Sequence, residues 1–227
     1  MPVDGVCINN ISYADDMVLL SPSIDALKSI AYNVQRYAVA HGLKYNVSKS
    51  ELMVFKAGTK TYSVPPILLS GTSLKTVTKF KYLGHWVTDN LSDNEDIEGE
   101  RRALAVRCNM LARRFARCAR DVKITLFKAF CVSFYSCALW DVLHAEGVQR
   151  APCAIQYNAF RVLMGLPRWC SASGMFADAR TNGFAAIMRK RCASLQARLR
   201  ASPNRIMNVF ANRWDGPMMA QWISLHV

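Results

Sequence analysis

Short apolar runs at residues 3–8 and 16–20 flank Tyr13-Ala14-Asp15-Asp16. That pattern predicts two strands joined by an acidic tip. Ser21-Pro22 follows as a helix N-cap with Pro at the first helical position. Ile24, Leu27, Ala31, Val34 and Ala38 then recur at helical spacing, and Gly42 supplies the stop. Leu52 to Phe55, Ile67 to Leu69 and Phe80 to Val87 read as strands, punctuated by Pro65-Pro66 and Gly71. Beyond residue 88 the period changes. Leu104, Cys108, Leu111, Phe115 and Cys118 fall at alternating steps of four and three, the stripe of an amphipathic helix. Val122 to Leu143 reads as a second, buried helix, and residues 154–164, 182–200 and 204–211 as further helices. The expected fold class is therefore an α+β N-terminal part followed by an all-α C-terminal part. There is no low-complexity tract and no evident repeat.

Charge sharpens this division. The chain has 227 residues and a formal charge of +13. Residues 1–100 hold nine Lys and Arg against eleven acids, whereas residues 101–200 hold eighteen against four. The excess thus lies in the helical half, where fifteen of the eighteen are Arg. Arginine forks onto phosphate and stacks on bases, so a polyanionic partner, nucleic acid before membrane, is expected. Arg101, Arg102, Arg107, Arg113, Arg114, Arg117 and Arg120 line the polar faces of the first predicted helix. An ordinary solvated face mixes signs, because like charges three or four residues apart repel. These seven are candidate phosphate contacts. The run Asp89 to Glu100 holds six acids in twelve residues; Asp93 suits a cap, and Glu95, Asp96 and Glu98 suit the positive end of a helix dipole.

Met1-Pro2-Val3-Asp4 has neither a basic nor an apolar leader region, and the charge-free apolar stretch Ala129 to Trp140 is too short to span a bilayer. The expectation is an intracellular protein of cytoplasm or nucleus, not secreted and with no membrane partner. The eight cysteines show no zinc spacing and read as reduced, mostly buried thiols.

Two adjacent carboxylates at a hairpin tip repel one another unless a cation compensates, although Asp-Asp also makes a plain turn. Hard cations such as Mg²⁺ take carboxylate oxygens and serve phosphoryl transfer. Tyr13-Ala14-Asp15-Asp16 resembles the YxDD box of reverse transcriptases, in the F/YADD form of non-LTR (LINE-type) retrotransposons. Gly42-Leu43-Lys44-Tyr45-Asn46-Val47-Ser48-Lys49-Ser50-Glu51 resembles the family's G-L-x-x-N-x-x-K-[TS]-E segment, and Tyr82-Leu83-Gly84 its Y-L-G box. The three occur in the family's order. Weaker similarity runs through Lys128-Ala129-Phe130 to Trp140 and through Tyr157-Asn158-Ala159-Phe160-Arg161 to Leu166-Pro167-Arg168.

The resemblance implies that residues 1–88 form a partial palm with a YADD hairpin and a primer-grip-like hairpin. It makes residues 89–150 thumb-like Arg-rich helices and residues 151–227 a C-terminal helical extension. It implies Asp15 and Asp16 as metal ligands and, with Lys49, as catalytic residues. It implies Tyr13, Asn46, Tyr82, Leu83 and Gly84 as substrate and primer contacts. Mg²⁺, with Mn²⁺ as an alternative, would be the cofactor; an RNA template, a DNA primer and dNTPs would be the partners. Trp86 reads as core before nucleic-acid stacking. The family's upstream carboxylate, its basic fingers and its Gly-rich template segment have no counterpart here. Asp4 would lie on the partner strand of the same hairpin and could not replace that carboxylate. The expected entity is a fragment inactive by itself, with an unpaired sheet edge, marginal stability and a need for a chain that supplies the missing palm and fingers. The alternative expectation is a non-catalytic RNA- or DNA-binding module that uses the Arg-rich helices. A helical interaction protein with a purely structural acidic hairpin is the third.

Overall fold

The computed structural model describes residues 2–3, 5–55, 63–140, 150–213, 216, 219–220 and 223. The chain divides into two compact units, residues 1–92 and 93–227. No helix among the described residues is long and apolar enough to cross a membrane.

The first unit is built of two-stranded pieces around one helix. Strands β1 (Pro2–Val3) and β2 (Val6–Cys7) pair antiparallel, and β3 (Asn10–Tyr13) pairs antiparallel with β4 (Asp16–Leu19). The acidic tip therefore joins β3 to β4. Its partner strand is not the 3–8 run expected from hydropathy, which forms a separate small hairpin, and Asp4 lies outside the described residues. Helix α1 (Ile24–Ala40) is capped by Ser23, not Ser21. The Ser23 hydroxyl accepts from Ala26 N at 3.2 Å, while the Ser21 hydroxyl donates to the Ser23 carbonyl at 2.8 Å. Gly42 ends the helix at φ +66°. Leu43 N donates to Ala38 O at 2.8 Å and Gly42 N to Val39 O at 3.2 Å, the paired bonds of a Schellman stop.

Strands β5 (Glu51–Leu52), β6 (Leu68–Leu69), β7 (Thr72–Ser73), β8 (Lys75–Thr76), β9 (Lys79–Tyr82) and β10 (His85–Thr88) follow. β6 pairs with β7, β9 with β10, and β5 runs parallel to β8. No sheet among the described residues exceeds two strands. The buried apolar side chains among the described residues here are Ile8, Ala38, Leu52, Ile67 and Leu69.

The second unit holds helices α2 (Asn94–Arg114), α3 (Arg120–Phe130), α4 (Arg150–Met164), α5 (Ala172–Asp178), α6 (Phe184–Arg200) and α7 (Arg205–Asn212). Leu104, Cys108 and Leu111 of α2 are buried as the stripe requires. The Cys108 thiol donates to Ala159 O at 2.8 Å, which brings α2 hard against α4. Phe127 of α3 meets Phe160 of α4 edge-on at 4.9 Å, and Phe176 of α5 joins Phe160 at 5.1 Å. Helices on both sides of residue 150 share this one core, and residues 93–227 are a single compact unit.

Two helices stop earlier than their patterns suggest. α2 ends at Arg114 with Phe115 as C-cap, which leaves Arg117 and Cys118 in the following turn. α3 ends at Phe130, where the pattern predicts helix to Leu143; residues 141–143 lie outside the described residues. The apolar run 131–140 is indeed buried in part, but as an irregular strap. Ser136 adopts φ 58° there. The strap is fixed from a distance: buried Asp96 of α2 accepts from Ser136 Oγ at 2.7 Å and from Trp140 Nε1 at 2.6 Å. Phe134 and Trp140 both pack on Phe184 of α6. Asp96 therefore serves as a core acceptor as well as a charge at the helix start. All eight cysteines are free; Cys108, Cys131, Cys137 and Cys192 are buried.

Candidate functional site

The β3–β4 hairpin closes on the pair Tyr13↔Asp16, so Ala14 and Asp15 form a two-residue loop. Ala14 takes φ 49°, a left-handed backbone that a Cβ makes costly, by about 1–2 kcal/mol. Tight two-residue hairpin loops need such positive φ because only they match the twist of the strands. Asp15 lies in the loop itself, and Asp16 opens the returning strand beside Tyr13. By strand alternation Ile11, Tyr13, Asp16 and Val18 share one face. Tyr13, Asp15 and Asp16 are all exposed, Tyr13 to 65%.

No hydrogen bond or ion pair among the described residues holds either carboxylate. Nor does a third His, Cys, Asp or Glu among them gather into a metal-binding group. The donor chemistry suits a hard divalent cation: anionic oxygens, unneutralised, open to solvent. Two carboxylates do not by themselves complete a two-metal cradle.

Asn46 has a local role that its sequence position does not show. Asn46 Oδ1 accepts from Lys49 N at 3.2 Å and from Ser48 Oγ at 2.7 Å, and Ser50 Oγ donates to Asn46 O at 2.9 Å. Asn46 thus caps the 3-10 turn Val47–Lys49 and presents an exposed Lys49. No hydrogen bond or ion pair joins Lys49 to Asp15 or Asp16.

The Tyr82-Leu83-Gly84 box forms the second tight hairpin. Tyr82↔His85 closes it, with Leu83 at φ 47° and Gly84 at φ 88°, positive at both loop positions as a primed turn requires. The Tyr82 hydroxyl is buried with no hydrogen-bond partner among the described residues. Trp86 is half-buried, and the Lys79 ammonium stands 5.7 Å from its ring centroid. A surface that the sequence reading passed over lies on α1: an open groove of about 410 Å³ lined by Tyr32, Gln35, Arg36, Val39 and Ala40.

In the second unit the seven candidate arginines separate into two groups. Arg101 and Arg102 pair with Glu98, and half-buried Arg107 pairs with Glu100. The Arg101 guanidinium beside Glu98 holds that carboxyl below its usual range. These three cations are largely spent within α2. Arg113 and Arg114 close α2, Arg117 stands in the turn, and Arg120 opens α3; all four are exposed and none is in an ion pair among the described residues. Arg113 and Arg114 sit favourably at the negative end of the α2 dipole. Arg120 sits at the positive end of α3, where a cation is disfavoured unless something outside the helix compensates it. The open charge is therefore a cluster at the α2–α3 turn rather than a seven-residue helix face.

Comparison with known families adds one finding. Residues 6–87 match the family model described as reverse transcriptase (RNA-dependent DNA polymerase). No curated protein and no solved structure matches the chain.

Proposed function

We propose that residues 6–87 are part of the palm of a non-LTR retrotransposon reverse transcriptase, and that the chain serves RNA-directed DNA synthesis. The carrying observation is the family match over a segment whose tip presents Asp15 and Asp16 unpaired and solvent-facing. In this reading Asp15 and Asp16 hold Mg²⁺, which when bound supplies charge stabilisation to attacking and leaving oxygens. Tyr13 flanks the primer end, and exposed Lys49 stabilises charge on the departing diphosphate. Tyr82, Leu83 and Gly84 support the primer. The cradle takes at least one further carboxylate from outside the described residues or from another chain.

Primer extension on an RNA template with Mg²⁺ and dNTPs tests this. The chain alone is expected to be inactive, and to extend primers when combined with a polypeptide that carries the upstream carboxylate strand of such enzymes. Asp15→Ala abolishes that extension. Extension that survives Asp15→Ala, or no extension in any combination, refutes the reading.

A second reading is favoured by the open arginine cluster: Arg113, Arg114, Arg117 and Arg120 bind RNA or an RNA–DNA hybrid without catalysis. It is compatible with the first, since a chain with an incomplete cradle still grips its template and primer.

A further inference from the structure

The largest exposed apolar side chain among the described residues of the second unit takes no part in anything described so far. Trp169 is 86% exposed. A tryptophan usually gives most of its surface to the core, so one left open asks for an external partner. Nor does it stand on a loose loop. Gly165, at φ +65°, ends α4, and Leu166 N donates back to Arg161 O at 2.9 Å. Arg161 Nη2 donates to Cys170 O at 2.6 Å and its Nη1 to Asn158 Oδ1 at 3.1 Å, which ties the far end of the loop to α4. Leu166 and Cys170 pack on the core, and Ser171 caps α5 directly after. Between these anchors Pro167, Arg168 and Trp169 all face solvent. An indole held out by a fastened loop with a guanidinium next to it has the makings of a base-stacking element. The surroundings decide between occupants. Residues 150–213 contain eleven Lys and Arg against one acid, Asp178. That charge attracts a polyanion, and an indole this exposed offers its flat face to a single base.

We propose that Trp169, with Arg168 beside it, is a stacking platform for an unpaired base of single-stranded nucleic acid. The proposal rests on the nucleic-acid reading above and adds to it a contact that is not electrostatic.

Titration of the full chain with an oligouridylate of about a dozen nucleotides, within the usual range of single-strand site sizes, tests it through intrinsic tryptophan emission. The oligonucleotide quenches the parent more than a blunt duplex of equal length does. Trp169→Phe keeps the affinity and loses that quenching. Trp169→Ala weakens binding by about 5- to 150-fold, the span of one base–aromatic stack, with the salt slope unchanged. Thermal unfolding of both variants stays at the parent's midpoint, since the side chain is exposed. If the parent binds no oligonucleotide, the nucleic-acid reading and this inference fall together. If it binds while Trp169→Ala binds equally well and is quenched equally, only the stacking platform falls. Loss of self-association in Trp169→Ala with unchanged oligonucleotide binding would put a protein partner on the indole, and would also overturn it.

Discussion

Replacing Arg113, Arg114, Arg117 and Arg120 together by Gln removes the four open cations and leaves a polar side chain at each position. Each phosphate contact adds about 0.7 for single strands to about 0.9 for duplex to the slope of log affinity against log salt. Four contacts therefore account for a slope of about 3. Raising salt from about 50 to about 200 mM, a fourfold change, then costs the parent about 50- to 150-fold in affinity that the variant no longer has to lose. The comparison that gives this meaning is Arg101→Gln with Arg102→Gln. That double variant removes two cations which Glu98 already engages, and so also frees an anion. Its slope should fall by less than about 1. Exposed pairs of this kind are worth little to the fold, about 0–1 kcal/mol, so both variants remain folded. Fluorescence anisotropy of labelled RNA and RNA–DNA hybrids over a salt series provides the slopes. If the double variant loses as much slope per arginine as the fourfold one, total charge rather than open charge governs binding. If the fourfold variant keeps the parent's slope, the open cluster makes no phosphate contact. Either result refutes the division of the seven arginines.

Two further predictions concern the second unit. Asp96→Ala removes the acceptor of the buried Trp140 indole N–H, while the half-buried Ser136 hydroxyl keeps its bond to Tyr135 O. Loss of that acceptor in a buried site should cost about 1–3 kcal/mol, seen as a lower urea midpoint with unchanged m-value. Trp140→Phe should cost measurably less in that background than in the parent; fully additive losses would show the pair uncoupled. Burial pushes the Cys137 thiol up to about 12 from an ordinary value of 9.0. A raised folded pKa contributes stability that is intact below the unfolded value and is lost as pH rises from about 9 towards 12, at up to about 1.4 kcal/mol per pH unit. Urea unfolding at pH 8 and pH 10 should give a steeper loss for the parent than for Cys137→Ala, and parallel losses would remove Cys137 from the account.

The local features were the legible ones. The acidic tip at Ala14-Asp15 follows from the pattern, though with the wrong partner strand, and the hairpin at Leu83-Gly84, where the pattern gives one run from Phe80 to Val87, comes only from the resemblance. The α1 stop at Gly42 and the buried face of Leu104, Cys108 and Leu111 follow from spacing. The failures share a physical cause, which is that the deciding partner lies far along the chain or in the geometry. Nothing near Phe130 marks the end of α3; the strap after it is held by Asp96 and Phe184. No glycine or proline marks the end of α2 at Arg114, and the apolar steps run on to Cys118. Ser21 and Ser23 are equally good caps by residue type, and only hydrogen bonding distinguishes them. At the candidate site the sequence identified the two carboxylates. It did not reveal that Asn46 spends its side chain on a local turn, or that Glu98 and Glu100 engage three of the seven arginines.

Four residues other than glycine in the first unit sit at positive φ: Ala14, Ser70, Leu83 and Leu91. At about 1–2 kcal/mol each they load the folded form with about 4–8 kcal/mol of backbone strain, against five buried apolar side chains among the described residues. A ligand that engages the folded form alone shifts such a balance by mass action. The first unit is thus suited to coupled folding and binding: part of the nucleic-acid affinity proposed for it would be consumed in ordering its own turns. Its measured dissociation constant would then report on the protein's conformational equilibrium as much as on the contacts it makes.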